Sequence, residues 1–412
     1  VTAEGAARGE GVGLYVHVPF CHAICTYCAF ARTEYDRHRA DAYLDGLEAE
    51  IRFRAEHTWG RPRVDTIFLG GGTPSALAAD QWRRLGALLA ENFDWAPELE
   101  FTSEANPESL TPARAGVMVE VGVNRLSLGV QSTRPAELNL LGRIHDAAGA
   151  ARAVAAARDA GIANLNLDLM YALPGQTEAD FEESLETVLA LDPEHLSAYC
   201  LGLEPGTPLA SEVASGRLPR PGDDRARVLY DLLVRRTEAS GRARYEISNF
   251  ARPGRACRHN LRYWRRRDVL ALGPSAHGLR RNRRWANPAP LEAWLAAYVP
   301  GGRAPVPRRV EAAEACFEWI FLNLRLARGL DPGEYRRLFD REFEADHGAT
   351  VAGMVAKGLL RREAGRLVLG EEAWFLSDGV FAEFAPRGPA PAEPSPPAAS
   401  GPPGGEAAPE TV

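Results

Sequence analysis

Three cysteines, Cys21, Cys25 and Cys28, fall in the stretch Phe20-Cys21-His22-Ala23-Ile24-Cys25-Thr26-Tyr27-Cys28, directly after the apolar run Leu14 to Val18. Thiolates this close repel one another unless a soft cation holds them, so a metal or an iron–sulfur cluster is the natural occupant. A cubane cluster has four irons, and three thiolates leave one iron without a protein ligand. That open corner suits a cluster that acts on a ligand, whereas a pure electron carrier ordinarily has four cysteines. Two other readings of the spacing stand beside it: a zinc site of three cysteines with His22 or His17, and three ordinary buried cysteines.

The rest of the composition narrows the class. At 412 residues the chain is long for one domain and sufficient for two. A hydrophobic content of 45% and a charged content of 25% are those of a globular protein. The net charge of −7 gives no electrostatic footprint for nucleic acid. Nearly all the cations are arginine, Lys357 being the sole lysine. No segment approaches about 18 uninterrupted apolar residues, so no membrane span is expected. The chain lacks a basic-then-apolar leader pattern, which points to the cytoplasm. Cys200, Cys257 and Cys316 are scattered, and no disulfide framework is expected.

Residues 1–12 read as a flexible lead-in, after which apolar runs alternate with amphipathic helical patterns. The runs are 14–18, 64–69, 99–102, 125–130, 165–170 and 196–201. The helical patterns are 40–53, 79–91, 112–121, 147–160, 178–191 and 225–239. Such alternation means parallel strands joined by right-handed crossovers. Six units without a clean seventh and eighth predict an open, partial (β/α)6 TIM-like barrel over 13–300, with a doubly wound sheet as the alternative. The rhythm changes after about residue 240. A smaller unit over 307–384 carries helical patterns at 311–327, 332–344 and 349–357 and then a ribbon at 361–369, an order that looks winged-helix-like. Residues 385–412 are rich in Pro, Ala and Gly and predict a disordered tail.

In parallel α/β folds the site lies at the carboxyl ends of the strands, and there the unusual residues collect. The cysteine loop follows the first run, and Gly70-Gly71-Gly72-Thr73-Pro74 follows the second. Glu104-Ala105-Asn106-Pro107 follows the third, Gln131 the fourth, and Asp168 ends the fifth. The glycines are either a tight turn or bare backbone that lets a ligand come close. Glu104 and Asp168 are either helix caps and salt-bridge partners or a pair that grips hydroxyls or an ammonium.

C-x3-C-x2-C with Tyr27 before its last cysteine resembles the signature of the radical S-adenosylmethionine (SAM) superfamily. Its flanks resemble one branch, the anaerobic coproporphyrinogen III dehydrogenase (oxidase) family. The resemblance spans about residues 12–385 and includes Leu141-Gly142-Arg143-Ile144-His145 and the run from Asn166 to Thr177. It implies a [4Fe–4S] cluster on Cys21, Cys25 and Cys28 whose open iron is chelated by SAM, with reductive cleavage to a 5′-deoxyadenosyl radical. It further implies SAM contacts at Gly71, Gly72, Thr73, Glu104, Gln131, Arg143 and Asp168, with Tyr15 and Tyr27 flanking the cluster. Some of these positions serve a second SAM in the dehydrogenases. No catalytic side chain is assigned.

The true dehydrogenases carry a further cysteine two positions after the third, where this chain has Phe30. Phenylalanine there is the mark of the sister group, the HemW-type haem chaperones. His259-Asn260-Leu261-Arg262-Tyr263-Trp264 matches a motif of the same group. A porphyrin needs an axial ligand and apolar walls, and the resemblance makes His259 the preferred haem ligand, then Cys257, then His277. A lone histidine among aromatics also reads as a packed core residue. Arg265, Arg266 and Arg267 read as propionate partners or as a solvated face. The implied function is haem binding and transfer to acceptor proteins; the alternative is the enzyme, oxidative decarboxylation of coproporphyrinogen III. A flavodoxin-like electron donor belongs to either reading if the cluster is reduced, and a homodimer is compatible with both.

Overall fold

The computed structural model describes residues 11–386; the predicted lead-in and tail lie almost wholly outside these residues. Six strands carry the predicted runs: Val12–Val18, Arg63–Gly71, Asp94–Ala105, Arg125–Gln131, Asn164–Tyr171 and His195–Cys200. They pair in sequence order, all parallel. Helices Arg37–Arg54, Ala79–Asn92, Pro112–Glu120, Ala147–Asp159, Glu178–Ala190 and Asp223–Ala239 cover the outer face. Their starts are written in the sequence: Asp36, Thr111, Asp146 and Thr177 each accept a hydrogen bond from a backbone N–H of the first turn.

Alternation along the strands separates two environments. On the fourth strand Leu126, Leu128 and Val130 are fully buried against the helices, as are Leu165, Leu167 and Leu169 on the fifth. Burying each of these leucines contributes about 2 kcal/mol. The intervening residues, Arg125, Ser127, Gly129 and Gln131 on one strand and Asn166, Asp168 and Met170 on the next, face a central cavity. The core therefore lies between sheet and helices, and the inside of the curved sheet is polar.

The partial barrel is larger than the sequence suggests. Val269–Leu272 lies parallel to the first strand on its free side, a seventh parallel strand. Four apolar residues with no helix of their own gave no repeat signal. Antiparallel strands extend both edges, His277–Arg280, Arg283–Ala286 and Arg308–Arg309 on one side, Asn249–Ala251 and Ala243–Glu246 on the other. The two edges of this twelve-stranded sheet do not pair with each other among the described residues. A short helix, Arg258–Trp264, closes the amino-terminal end of the barrel; a Cβ on Gly13 would meet Arg262 at 2.8 Å and His259 at 3.3 Å.

The C-terminal region has helices Ala312–Leu324, Pro332–Phe339 and Phe343–Ala356, then a hairpin of Leu360–Glu363 and Arg366–Leu369. The second helix stops five residues before its predicted end because Asp340 turns left-handed, φ 53°. The third starts correspondingly early. This region docks on the barrel through Arg325, which pairs with Glu246 at 2.8 Å and lies 4.4 Å over the Trp264 ring. Arg266 and Arg267 pair with Glu318 and Glu334 of the same region, so both take part in packing it on the barrel. Among the described residues no helix is long and apolar enough to cross a membrane.

Candidate functional site: a cavity beneath the cysteine loop

The cysteine loop is held from both ends. Thr33 N–H donates to Pro19 O and Tyr35 N–H to Cys21 O. Thr26 is fixed by its own N–H to Leu141 O, its hydroxyl to Leu140 O, and its carbonyl accepting from Leu209 N–H. The glycine run docks against it: Gly72 N–H donates to Val18 O at 2.9 Å and Thr73 N–H to Phe20 O at 2.7 Å. Gly71 sits at φ 105°, and a Cβ there would come within 2.3 Å of the His17 ring. His17 is itself fixed by Tyr15 OH at 3.0 Å and Ala31 O at 2.8 Å. Only glycine allows this closeness.

All three cysteines face one cavity of about 660 Å3. Burial pushes the Cys21 thiol up to about 11, against a hydrogen bond from Thr73 Oγ1 at 3.5 Å. Burial raises Cys28 as well. Arg143 Nη1 donates to Cys25 Sγ at 3.4 Å. Between these two donors stands Asn106, whose amide donates to Thr73 Oγ1 at 3.0 Å and whose carbonyl accepts from Arg143 Nη2 at 2.8 Å. An arc of side chains thus runs from one sulfur to another.

The donor set suits an iron–sulfur cluster. Thiols pushed up by burial ionise only when a cation holds them, and hydrogen-bond donors already aim at two of the sulfurs. A zinc ion needs its ligands drawn to about 2.3 Å around one point. Among the described residues no group of three His, Cys, Asp or Glu side chains is placed to hold a single metal ion. His22 edges onto Tyr35 and His17 is engaged by Tyr15 and Ala31.

Tyr27, Gly71, Gly72, Thr73, Glu104, Gln131, Arg143 and Asp168 all line the same cavity. Tyr15 does not; its ring stands behind Phe68, centroids 6.3 Å apart. Glu104 is pushed up to about 8 by burial and then by the charge of Asp168, against the Gly71 N–H that donates to its Oε2 at 3.0 Å. Asp168 is raised by burial, against hydrogen bonds from Asn166 and Ser127. Two buried carboxyl groups in one cavity, each raised by burial, gain from a cationic ligand that stabilises their ionised forms. Gln131 is left-handed, φ 66°, at a register shift between the fourth and fifth strands.

The haem candidates are placed differently. His259 is 1% exposed, its Nδ1 3.0 Å from Thr66 Oγ1, its Nε2 without a partner. Its ring lies between Phe68 and Tyr263, and burial lowers its pKa to about 3. Cys257 is fully buried, its thiol pushed up to about 12 by burial. His277 is exposed at the edge of the sheet. None of the three reaches the cavity.

Asn106, Ser127, Asn166, Ser197, Arg125 and Asn260 also face the cavity, and the sequence reading passed over them as site residues. For Arg125, Ser127, Asn166 and Ser197 the signal is alternation: Arg125-Leu-Ser127-Leu, Asn164-Leu-Asn166-Leu-Asp168 and His195-Leu-Ser197 set polar residues at every second place in apolar strands.

The profile described as the Radical SAM superfamily matches residues 15–188, and that of the HemN C-terminal domain matches residues 310–376. "Heme chaperone HemW" of Bacillus subtilis (strain 168) is 34% identical over 375 residues, 90% of this chain and 98% of that protein. "Heme chaperone HemW" of Mycobacterium tuberculosis (strain ATCC 25618 / H37Rv) is 36% identical over 377 residues, 90% of this chain and 94% of that protein. Among solved structures, coproporphyrinogen III oxidase (HemN) from Escherichia coli, a radical SAM enzyme, superposes with a TM-score of 0.81 at 25% identity, covering 93% of this chain and 92% of that one. Near full-length kinship, the matched profiles and the shared partial barrel place this chain in the HemW-type branch of the radical SAM coproporphyrinogen oxidase family.

Proposed function

We propose that this chain binds haem and delivers it to acceptor proteins, on a core that holds a SAM-ligated [4Fe–4S] cluster. The observation that carries the reading is kinship across 90% of the chain with proteins named heme chaperones. Phe30 agrees with it: 69% exposed at the rim of the cavity, it stands where the oxidising enzymes of the family have a further thiol. In this reading Cys21, Cys25 and Cys28 are the cluster ligands. Gly71, Gly72 and Thr73 receive the methionine end of SAM, and Glu104 and Asp168 take its positive charge or ribose hydroxyls, beside Gln131, Arg143 and Tyr27. A cluster held there would supply single electrons to a bound sulfonium. A flavodoxin-like donor and haem-accepting proteins are the partners this entails.

His259 is the axial ligand in this reading. Its neutral ring and free Nε2 are what iron ligation needs, and its enclosure means that helix Arg258–Trp264 has to lift for haem to reach it. The test is anaerobic reconstitution with iron and sulfide, followed by haem titration. A Soret band with wild type and a weaker one in His259→Ala support the reading; unchanged haem binding in that variant removes His259 from it, and no haem uptake at all rejects the function.

The likeness to the E. coli oxidase favours a second reading, oxidative decarboxylation of coproporphyrinogen III. It requires SAM-dependent CO2 release from that substrate under strict reduction, and absence of product there rejects it.

A further inference from the structure

The floor of the cavity holds a cation that no described residue meets in a direct hydrogen bond or ion pair. Arg125 opens the fourth strand, three inward positions below Gln131 and so roughly 20 Å along the strand from the cluster end. It is 2% exposed and yet lines the cavity. No described residue lies in hydrogen-bond or ion-pair contact with its guanidinium, and its Nε is buried without an acceptor. The opposite charges of Glu100 and Asp168 act on it only across space, so its hydrogen-bond donors stay open to a ligand.

The neighbouring carboxylates are committed elsewhere. Glu100 accepts from the backbone N–H groups of Arg258 and His259, both at 2.9 Å, and faces the Cys257 thiol at 3.7 Å. Asp168 accepts from Ser127 at 3.2 Å and Asn166 at 2.7 Å. Glu104 accepts from Gly71. Beside Arg125 the floor offers Asn260 and Ser127, neutral groups that suit the second oxygen of an anion.

We infer that Arg125 is a carboxylate-binding group that anchors an acid-bearing ligand at the bottom of this cavity. The planar guanidinium fork matches a carboxylate with two parallel hydrogen bonds. A doubly charged phosphate carries more charge than one guanidinium offsets, whereas one short acid arm matches it, and a zwitterion can also place its cationic end against Glu104 and Asp168 on the wall above. The carboxylate has two sources within the ligand-binding reading above, on which this inference rests: the amino-acid end of an S-adenosyl compound other than the one whose methionine end meets Gly71 to Thr73, or a propionate of a tetrapyrrole.

The experiment compares each acid with its uncharged counterpart on the reconstituted full chain, by equilibrium titration: SAM against decarboxylated SAM, and haem against haem dimethyl ester. The quantity read is the discrimination between the two members of a pair. In Arg125→Met it should fall about ten- to a hundredfold for the carboxylate that uses this site, with the uncharged member binding as before. Arg125→Lys, which keeps the charge and the fold's internal balance but loses the fork, should fall partway; if the methionine variant does not fold, the lysine variant decides. The pair that responds identifies the source. Should Arg125 variants leave both discriminations intact, or wild type show none in either pair, the assignment is overturned. Failure of haem to bind at all sinks the haem reading alone, since the SAM pair still judges Arg125.

Discussion

Arg143 and Cys25 are in direct contact, guanidinium Nη1 to Sγ at 3.4 Å. The contact matters because Arg143 is also tied to Asn106 and to the Gly129 carbonyl at 2.5 Å, so the cation cannot swing away. A fixed positive charge and hydrogen bond beside a cluster sulfur favour the reduced, more negative state. Arg143→Met should therefore lower the reduction potential of the reconstituted cluster by roughly 50 mV, the equivalent of about 1 kcal/mol for one electron. Potentiometric titration followed by electron paramagnetic resonance measures it. An unchanged potential with full iron content would detach Arg143 from the cluster.

Glu104 sets a pH dependence. With its pKa pushed up to about 8 by burial and by Asp168, it holds its proton at neutral pH until a cation arrives. A positively charged ligand prefers the ionised form, so SAM affinity should rise as pH rises toward 8 and level off beyond it. Glu104→Gln should flatten that profile. In the ligand-free protein the sign is opposite: a raised folded pKa gives stability that is complete below the unfolded value of about 4.3 and is lost as pH climbs through 8. Calorimetry across about pH 6 to 9 reads the first effect and denaturant titration the second; a flat wild-type profile refutes the assignment.

Gly71 is the position where one carbon atom should matter most. Its φ of 105° is a left-handed conformation, and the 2.3 Å approach to His17 leaves no room for a methyl group. His17 cannot retreat without breaking its hydrogen bonds to Tyr15 and Ala31. Gly71→Ala should cost about 1–3 kcal/mol of stability, and by moving the N–H that Glu104 accepts it should weaken SAM binding at least about tenfold. Melting temperature and nucleotide titration give the two numbers separately. Wild-type SAM affinity in a folded Gly71→Ala protein would put the ligand elsewhere.

Most of the cavity wall was legible in the sequence because the strands are parallel and their ends mark it. Cys21, Gly71, Glu104, Gln131 and Asp168 are far apart in the chain, yet each follows its own apolar run, and topology does the rest. Asn166 and Ser197 were legible in principle from alternation. Tyr15 was not, since only packing against Phe68 decides that it stands behind the wall. His259 stands in an aromatic local sequence, but its place in the fold depends on Glu100 accepting from its backbone N–H from 159 residues away. The seventh parallel strand was hidden for a similar reason: what fixes it lies in a helix more than 200 residues earlier.

That anchor is the Glu50–Arg54 pair, and it supports the last prediction. Both side chains are wholly buried, 3.7 Å apart, on helix Arg37–Arg54. Glu50 accepts from Gly273 N–H at 2.8 Å, Asn287 Nδ2 at 2.7 Å and Trp294 Nε1 at 2.9 Å. Arg54 donates to Tyr298 OH at 2.8 Å and Asn287 Oδ1 at 3.2 Å. Burial raises the pKa of Glu50, and Arg54 with these donors works against that rise. Glu50→Ala would strand a buried guanidinium and three donors at once, at a cost of about 3–5 kcal/mol, read as a lower denaturant midpoint. Because Gly273 directly follows strand Val269–Leu272, hydrogen exchange there should speed up before it does in the fourth and fifth strands. The double variant Glu50→Leu with Arg54→Leu removes both charges together and should recover much of the loss. If the double variant is as unstable as Glu50→Ala, the hydrogen bonds to Gly273, Asn287 and Trp294, and not the charge pair, hold the seventh strand in place.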